Sequence, residues 1–424
     1  MIVPALLLVA AAIADSIPTI SLKEAIARAT KFDPNYIRAT GSVGSAQWAR
    51  RSAISTLVLP SITGGTDLSG YSTEIFNIGT GQRAKSIVSA RADARFELFT
   101  GGRKLADLRR VNAELETAKA TELQALFLTA LGTEADYYAV LGSRELVDVA
   151  RERLRRAEEQ LVVARARVVS GAVVQTDSLQ ILLEVNRSHV ALLRESARLE
   201  VARLQLGRRV GVRGPIDAAK VDSLVAPDFP LTLAQAVSLA LEEGPEYRIA
   251  RGNETAAGAT LRSRTAGYSP QASIAGNLTK FGDSFFPTGL SRSSVTLSVQ
   301  IPLWDNLQRE LNVSRARVAR DLARAVREDL ERAAEADVAQ AYHAHRTAIE
   351  AARYAQQGVG VAEENFRVQQ ARYRAGASPI LDLLEAQSRL TESQAELVQA
   401  RYAIRLALAG LEVLVGRRFH EPED

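Results

Sequence analysis

Hydrophobic positions follow two periods along this chain. Between Val88 and Leu98 the apolar residues Val88, Ala90, Ala92, Ala94, Phe96 and Leu98 alternate with Ser89, Arg91, Asp93, Arg95 and Glu97. A period of two with one apolar and one charged face predicts a strand. The period returns at Ala272, Ile274, Gly276 and Leu278, and again at Val295, Leu297, Val299 and Ile301. With the Gly-, Ser- and Thr-rich stretch at 61–82, this predicts four strands of about ten residues, at about 60–72, 86–98, 270–281 and 291–303. Elsewhere the period is seven: Leu383, Leu390, Leu397, Ile404 and Leu411, with Val185, Leu192, Leu199 and Leu206 in a matching register. Such spacing predicts helices packed along a seam. Residues 103–168 and 305–374 contain no proline, so each reads as one helix on the order of 100 Å long. A helix of that length is stable in water only when neighbours pack along it.

The two halves of the chain repeat one another. Leu22-Lys23-Glu24-Ala25-Ile26 matches Leu233-Ala234-Gln235-Ala236-Val237, and Asp33-Pro34 matches Gly244-Pro245, both displaced by 211 positions. Further on the displacement is 205: Leu98-Phe99 falls on Leu303-Trp304, Arg167 on Arg372, Gly171 on Gly376 and Asp177 on Asp382. Heptad, glycine and aspartate in one shared register point to duplication. The prediction is therefore a mainly α protein with a small β part, in two tandem repeats of helix-strand-strand-long helix-helix. The first repeat spans 15–215 with a helical hairpin at 103–207, a linker follows at 216–228, and the second spans 229–418 with a hairpin at 305–415. Residues 419–424 are a tail. Residues 22–57 are helix-forming apart from Asp33-Pro34, where the proline should kink or restart the helix.

Composition narrows the function. Fifty-three basic and 49 acidic side chains leave a net charge of +4, too balanced for a dedicated nucleic-acid binder. There is no cysteine, one methionine and only four histidines, which removes disulfide frameworks and thiol catalysis and leaves soft-metal coordination without obvious ligands. His343 and His345 stand two apart on a helix and point to different faces, so a metal pair there is not expected. Packing is the default role for Trp48 and Trp304, a membrane interface the sharper one for Trp304. Aromatics at 5% are too few for a chain that is mostly transmembrane barrel. Residues 2–14 form an uncharged apolar stretch ending in the small-x-small pattern Ala12-Ile13-Ala14. It is too short to cross a bilayer and reads as the core of a secretory signal over residues 1–14, with a buried N-terminal helix as the alternative.

Strands of about ten residues have the length that crosses an outer-membrane-type bilayer, although a solvated sheet alternates in the same way. Four strands cannot close a barrel, and an open edge in lipid leaves backbone groups unsatisfied. If these strands span, several chains must share one barrel.

Leader, duplication, paired short strands and long helices together resemble the TolC-like outer-membrane efflux channels of Gram-negative bacteria. The most specific stretch is Arg372-Tyr373-Arg374-Ala375-Gly376-Ala377-Ser378-Pro379-Ile380-Leu381-Asp382-Leu383-Leu384-Glu385-Ala386-Gln387, similar to that family's signature at the tip of its second hairpin. Arg167-Val168-Val169-Ser170-Gly171 leading to Thr176-Asp177 is a weaker counterpart. The junctions Leu98-Phe99-Thr100-Gly101-Gly102 and Pro302-Leu303-Trp304-Asp305-Asn306 also look like family elements. The resemblance implies a homotrimer in the outer membrane, with a shared twelve-stranded β-barrel continued by a long α-helical barrel in the periplasm. It further implies a tip closed at rest, partnership with a periplasmic adaptor and an inner-membrane transporter, contact with outer-membrane lipid, and no cofactor, metal, catalytic residue or nucleic-acid partner.

The resemblance also places pore and gate residues. Asp382 and Glu385 fall where the family has acidic side chains facing the pore, and three-fold symmetry makes each a ring of three carboxylates, which favours cations. Asp177 and Tyr373 match positions that hold the hairpins shut through polar links, with Ser378 where an arginine is frequent. Gln180 stands in the first half where Glu385 stands in the second, so that ring is not doubled. For Asp177 and Asp382 a simple helix-start role is the alternative. A secreted coiled-coil scaffold or a periplasmic adaptor is the competing reading of the whole chain.

Overall fold

A computed structural model describes residues 17–171, 174–220, 229–282 and 289–419. The expected leader, part of the linker (221–228) and most of the tail (420–424) lie outside the described residues. The order is β1 (Thr19–Ile20), α1 (Leu22–Phe32), α2 (Pro34–Val58), β2 (Ser61–Asn77), β3 (Gln82–Phe99), α3 (Arg103–Val169), α4 (Gln175–Arg209), β4 (Asp217–Ala218), α5 (Leu233–Glu243), α6 (Pro245–Thr265), β5 (Gln271–Gly282), β6 (Ser291–Gln300), α7 (Gln308–Arg374) and α8 (Ile380–Val415). The protein is mainly helical with a small β part, as the sequence predicts. The long helices α3 and α7 have 67 residues each.

Matching residues start matching elements. Ser21 caps α1 by accepting the Glu24 N–H at 3.3 Å, and Thr232 caps α5 in a reciprocal box with Gln235. Pro34 and Pro245 occupy the first positions of α2 and α6, where the missing N–H costs nothing. The proline thus restarts the helix, and Asp33 Oδ1 accepts the Asn35 N–H at 2.7 Å.

Each turn from strand into long helix uses two left-handed residues. In the first half they are Gly101 and Gly102 (φ +61° and +86°); in the second, Asn306 and Leu307 (φ +54° and +63°). Glycine adopts this region freely, asparagine tolerates it, and leucine is strained there. This corner delays α7 to Gln308, three residues past the start expected from the absence of proline.

The chain divides into two compact units. One comprises Ala39–Glu122 and Glu246–Ala333 and contains the antiparallel sheet, ordered β2-β3-β5-β6. Pairing of β3 with β5 joins the repeats, and among the described residues β2 and β6 each keep one edge unpaired. One face carries Ile62, Leu68, Leu278, Val295, Leu297 and Val299, all exposed. The other carries the Arg91–Asp67 ion pair (3.0 Å) and an Asn277 Nδ2 to Asp93 Oδ1 bond (2.6 Å). β2 and β3 run 17 and 18 residues, longer than expected, because glycine and threonine in 61–82 mask the alternation. The buried Asn77 closes their turn, accepting the Gly79 N–H at 2.9 Å while donating to Gly282 O at 3.2 Å. β6 stops at Gln300, short of the expected 303. Neither tryptophan is packed within the protomer: Trp48 and Trp304 are 67% and 71% exposed.

The other unit holds the chain up to Arg38, Leu123–Pro245 and the chain from Ala334 on. Its core follows the heptads: Leu383, Leu390, Leu397, Ile404 and Leu411 are all buried. The segment expected as linker begins instead as β4, parallel to β1. Asp217 is held there by Arg144 and by Arg203 at 2.6 Å, and the Tyr137 hydroxyl donates to Ala219 O at 2.8 Å. The start of the tail also packs, with Phe419 edge-on to Phe229 and its N–H donating to Glu412 Oε1 at 2.7 Å.

Leu307→Gly relieves the strained corner and raises stability by about 1 kcal/mol in thermal unfolding; a lower midpoint contradicts the strain. Glu134, 3.7 Å from Arg418, has its carboxyl pushed up to about 7, by burial first and then against the pull of Arg418. The folded chain holds this proton more tightly than the unfolded one, so stability from this group is full below about pH 4.5 and falls as pH rises through about 7. Glu134→Gln should flatten that slope and gain on the order of 1–3 kcal/mol above pH 7, measured by melting at acid and alkaline pH.

Candidate functional site at the hairpin tips

Four segments converge where α3 turns into α4 and α7 into α8. Gly171 and Gly376 (φ +73° and +76°) end the long helices, using the conformation that glycine reaches without a Cβ clash. The return helices start after Val174 and Pro379, neither of which caps through its side chain. Asp177 and Asp382 both occupy the third position of their helix, in its first turn, where open N–H groups and the helix dipole favour a negative charge. Both are half-buried, and among the described residues Asp382 has no ion pair.

Tyr373 is 2% exposed, in a core with Ile181, Phe366, Ile380 and Leu383. The Arg167 guanidinium lies 5.0 Å from its ring centroid and donates to its backbone carbonyl. Burial, and secondarily the nearby Asp177 carboxylate, raise the Tyr373 phenol above its ordinary value, while Arg167 pulls it down. The Tyr373 hydroxyl and the Ser378 hydroxyl are both buried without a hydrogen-bond partner among the described residues. Asp177 therefore acts on Tyr373 through space and not through a direct bond. Glu385 is exposed and paired with Arg389 one turn on, at 2.7 and 3.1 Å. Gln180 is half-buried.

Behind the tips a second polar layer ties three helices. Arg153 on α3 reaches Glu184 on α4 at 2.6 Å, Ser188 shares that oxygen at 3.3 Å, and the fully buried Gln387 on α8 donates to Arg153 O at 3.3 Å. Further along, the Tyr402 hydroxyl donates to Glu145 at 2.6 Å. Arg167, Arg153 and Glu184 are not singled out by the sequence as site residues. Arg167 carries the one signal available, its register with Arg372; the other two look like ordinary charges of a solvated helix. His345 is buried and His343 exposed, so the two do not share a face.

Two duplicated helical hairpins, joined to a small sheet with one uncovered apolar face, define an outer-membrane channel fold. The outer membrane efflux protein family matches residues 42–212 and 236–417. The chain belongs to that family, whose members are channel proteins and not enzymes. It is 28% identical over 348 residues to the pyoverdine export outer membrane protein OpmQ of Pseudomonas aeruginosa, covering 77% of this chain and 69% of that one. In fold it is similar to CusC, with a TM-score of 0.81 at 18% identity over 95% and 93% of the two chains. It is also similar to the outer membrane protein VceC of Vibrio cholerae, with a TM-score of 0.77 at 16% identity over 94% and 97%.

Arg167→Gln removes both the stacking and the carbonyl contact across the hairpins, and should loosen the tip by about 1–2 kcal/mol. Hydrogen exchange should rise around residues 370–380; Arg167→Lys should restore it only in part. Unchanged exchange would show that the arginine does not hold the tip.

Proposed function

We propose that this protein is the passive exit duct of a tripartite efflux or type I secretion system, a homotrimer whose tip is opened by a periplasmic adaptor and an inner-membrane pump. The observation that carries the reading is the sheet: four strands with two unpaired edges and one uncovered apolar face. Three copies joined edge to edge would satisfy every backbone group, giving twelve strands with the apolar face toward lipid. The polar face, with Arg91, Asp93, Arg95 and Glu97, then lines the water-filled side, and the helices extend into the periplasm. A soluble adaptor or scaffold has no use for such a face. The relatives named for pyoverdine export favour a small exported molecule as cargo.

In this reading Asp177, Tyr373, Asp382 and Glu385 form the gate. Burial of Tyr373 beneath Arg167 joins the two hairpins of one protomer, and the Asp382 carboxylates face the pore as a ring. Arg389 partly offsets the charge of Glu385, so Asp382 contributes the larger share of selectivity.

Extraction of the outer membrane with detergent and mass determination should give a trimer; a water-soluble monomer sinks the proposal. In planar bilayers Asp382→Ala with Glu385→Ala should weaken cation selectivity, and unchanged reversal potentials would remove both residues from the pore. Tyr373→Phe combined with Asp177→Ala should raise resting conductance or antibiotic leakage, while an equally closed channel argues against their role.

A further inference from the structure

Within the unit that carries the sheet, α6 lies between α3 and α7. Ser263 on α6 donates to Asp107 on α3 at 2.9 Å, and Arg327 on α7 reaches Glu254 on α6 at 2.6 Å. Along this line of contact runs an open groove of about 580 Å³, lined by Arg109, Asn112 and Glu116 of α3, Glu254 and Arg262 of α6, and Arg320 of α7. Its floor is kept low by small residues: a Cβ added at Gly258 would meet nothing within 4 Å.

The charges around this groove do not cancel. Each carboxylate already has a cation outside the groove, Glu116 with Lys119 at 2.9 Å and Glu254 with Arg327. Arg320 is paired with Asp321. Arg109 and Arg262 have no ion pair among the described residues, so two guanidiniums face the groove region uncompensated. Asn112 adds a donor. Its Oδ1 accepts from Arg50 Nε at 2.9 Å, and since arginine can only donate, the asparagine amide N–H groups remain for another acceptor. Two free guanidiniums and an amide make a donor-only set, the chemistry that holds a multi-oxygen anion.

We propose that this groove is an anion site that takes a phosphate group through Arg109, Arg262 and Asn112. Arg109 lies six residues into α3 and Arg262 three residues before the end of α6, within roughly 10 Å of the strand ends along each helix. A phospholipid headgroup and a soluble phosphate compound both present the required oxygens at that depth. Phosphate binding rests on the charges of one unit alone, whereas its assignment to a phospholipid headgroup rests on the duct reading.

The test uses the full chain purified in detergent. Inorganic phosphate titrated by calorimetry should bind saturably, weakening as salt is raised. Arg109→Gln and Arg262→Gln should each weaken it about tenfold or more, and Glu116→Gln should leave it unchanged or tighter. Both arginines are exposed, so these variants should keep the parent's melting temperature, which is checked alongside. Native mass spectrometry after nanodisc reconstitution separates the sources: phospholipid retained by the parent and lost in the double variant assigns a headgroup, while phosphate binding without lipid retention assigns a soluble ligand. A parent that binds neither phosphate nor phospholipid, or a double variant that binds as the parent does, overturns the site.

Discussion

Two helices of 67 residues each impose lateral packing as the constraint on which the rest depends. No helix of that length buries its apolar stripe by folding back on itself, and its stability must come from neighbours along its whole length. The return helices α4 and α8 supply one side of that packing through their heptad seams. The second seam of α8, Ala386, Ser393, Ala400, Ala407 and Leu414, is made largely of small residues and is buried or half-buried, which lets helix backbones approach closely. Among the described residues no helix is long and apolar enough to cross a membrane. Apolar side chains remain uncovered on one face of the sheet and also along the helices, as at Val162, Leu193, Val318, Leu322 and Val361.

Charge is used differently in different places. Along exposed helix faces, pairs such as Arg155–Glu159 and Arg324–Glu328 are screened by solvent and contribute little. The buried sets matter more because breaking one leaves its partner stranded. Asp217, held by Arg144 and Arg203, fixes β4 beside β1 and thereby brings the end of the first repeat to the start of the chain. Arg153, Glu184, Ser188 and Gln387 fix α3, α4 and α8 near the hairpin tips. With 46 arginines to 7 lysines, the protein favours the cation that can lie flat on a ring, as over Tyr373, and still donate from its edge.

The repeat architecture was legible because its signals are periodic: seven for the seams, two for the strands, and one displacement relating glycines and aspartates. Legibility failed where structure depends on a single long-range partner. Residues 217–218 look like linker because a two-residue strand has no period; only Arg144, Arg203 and β1 make it one. Leu307 carries no hint of its left-handed backbone except its register with Gly102. Tyr373, Asp177, Asp382 and Glu385 were nameable from resemblance to a family signature. The Arg167 that lies over Tyr373, and the Arg389 that offsets Glu385, were visible only once the helices were placed.

The pairing of β3 with β5 also has a kinetic side. Asp93 and Asn277 are 184 positions apart, and closing a loop of that size is entropically costly before any contact repays it. The centre of the sheet therefore cannot form until the second repeat has been made. Until then the chain has only the β2–β3 hairpin, and an isolated hairpin is marginal in water. A sheet whose apolar face is uncovered is thus assembled only once β5 and β6 have been made, which limits the time such a surface spends exposed and free to aggregate.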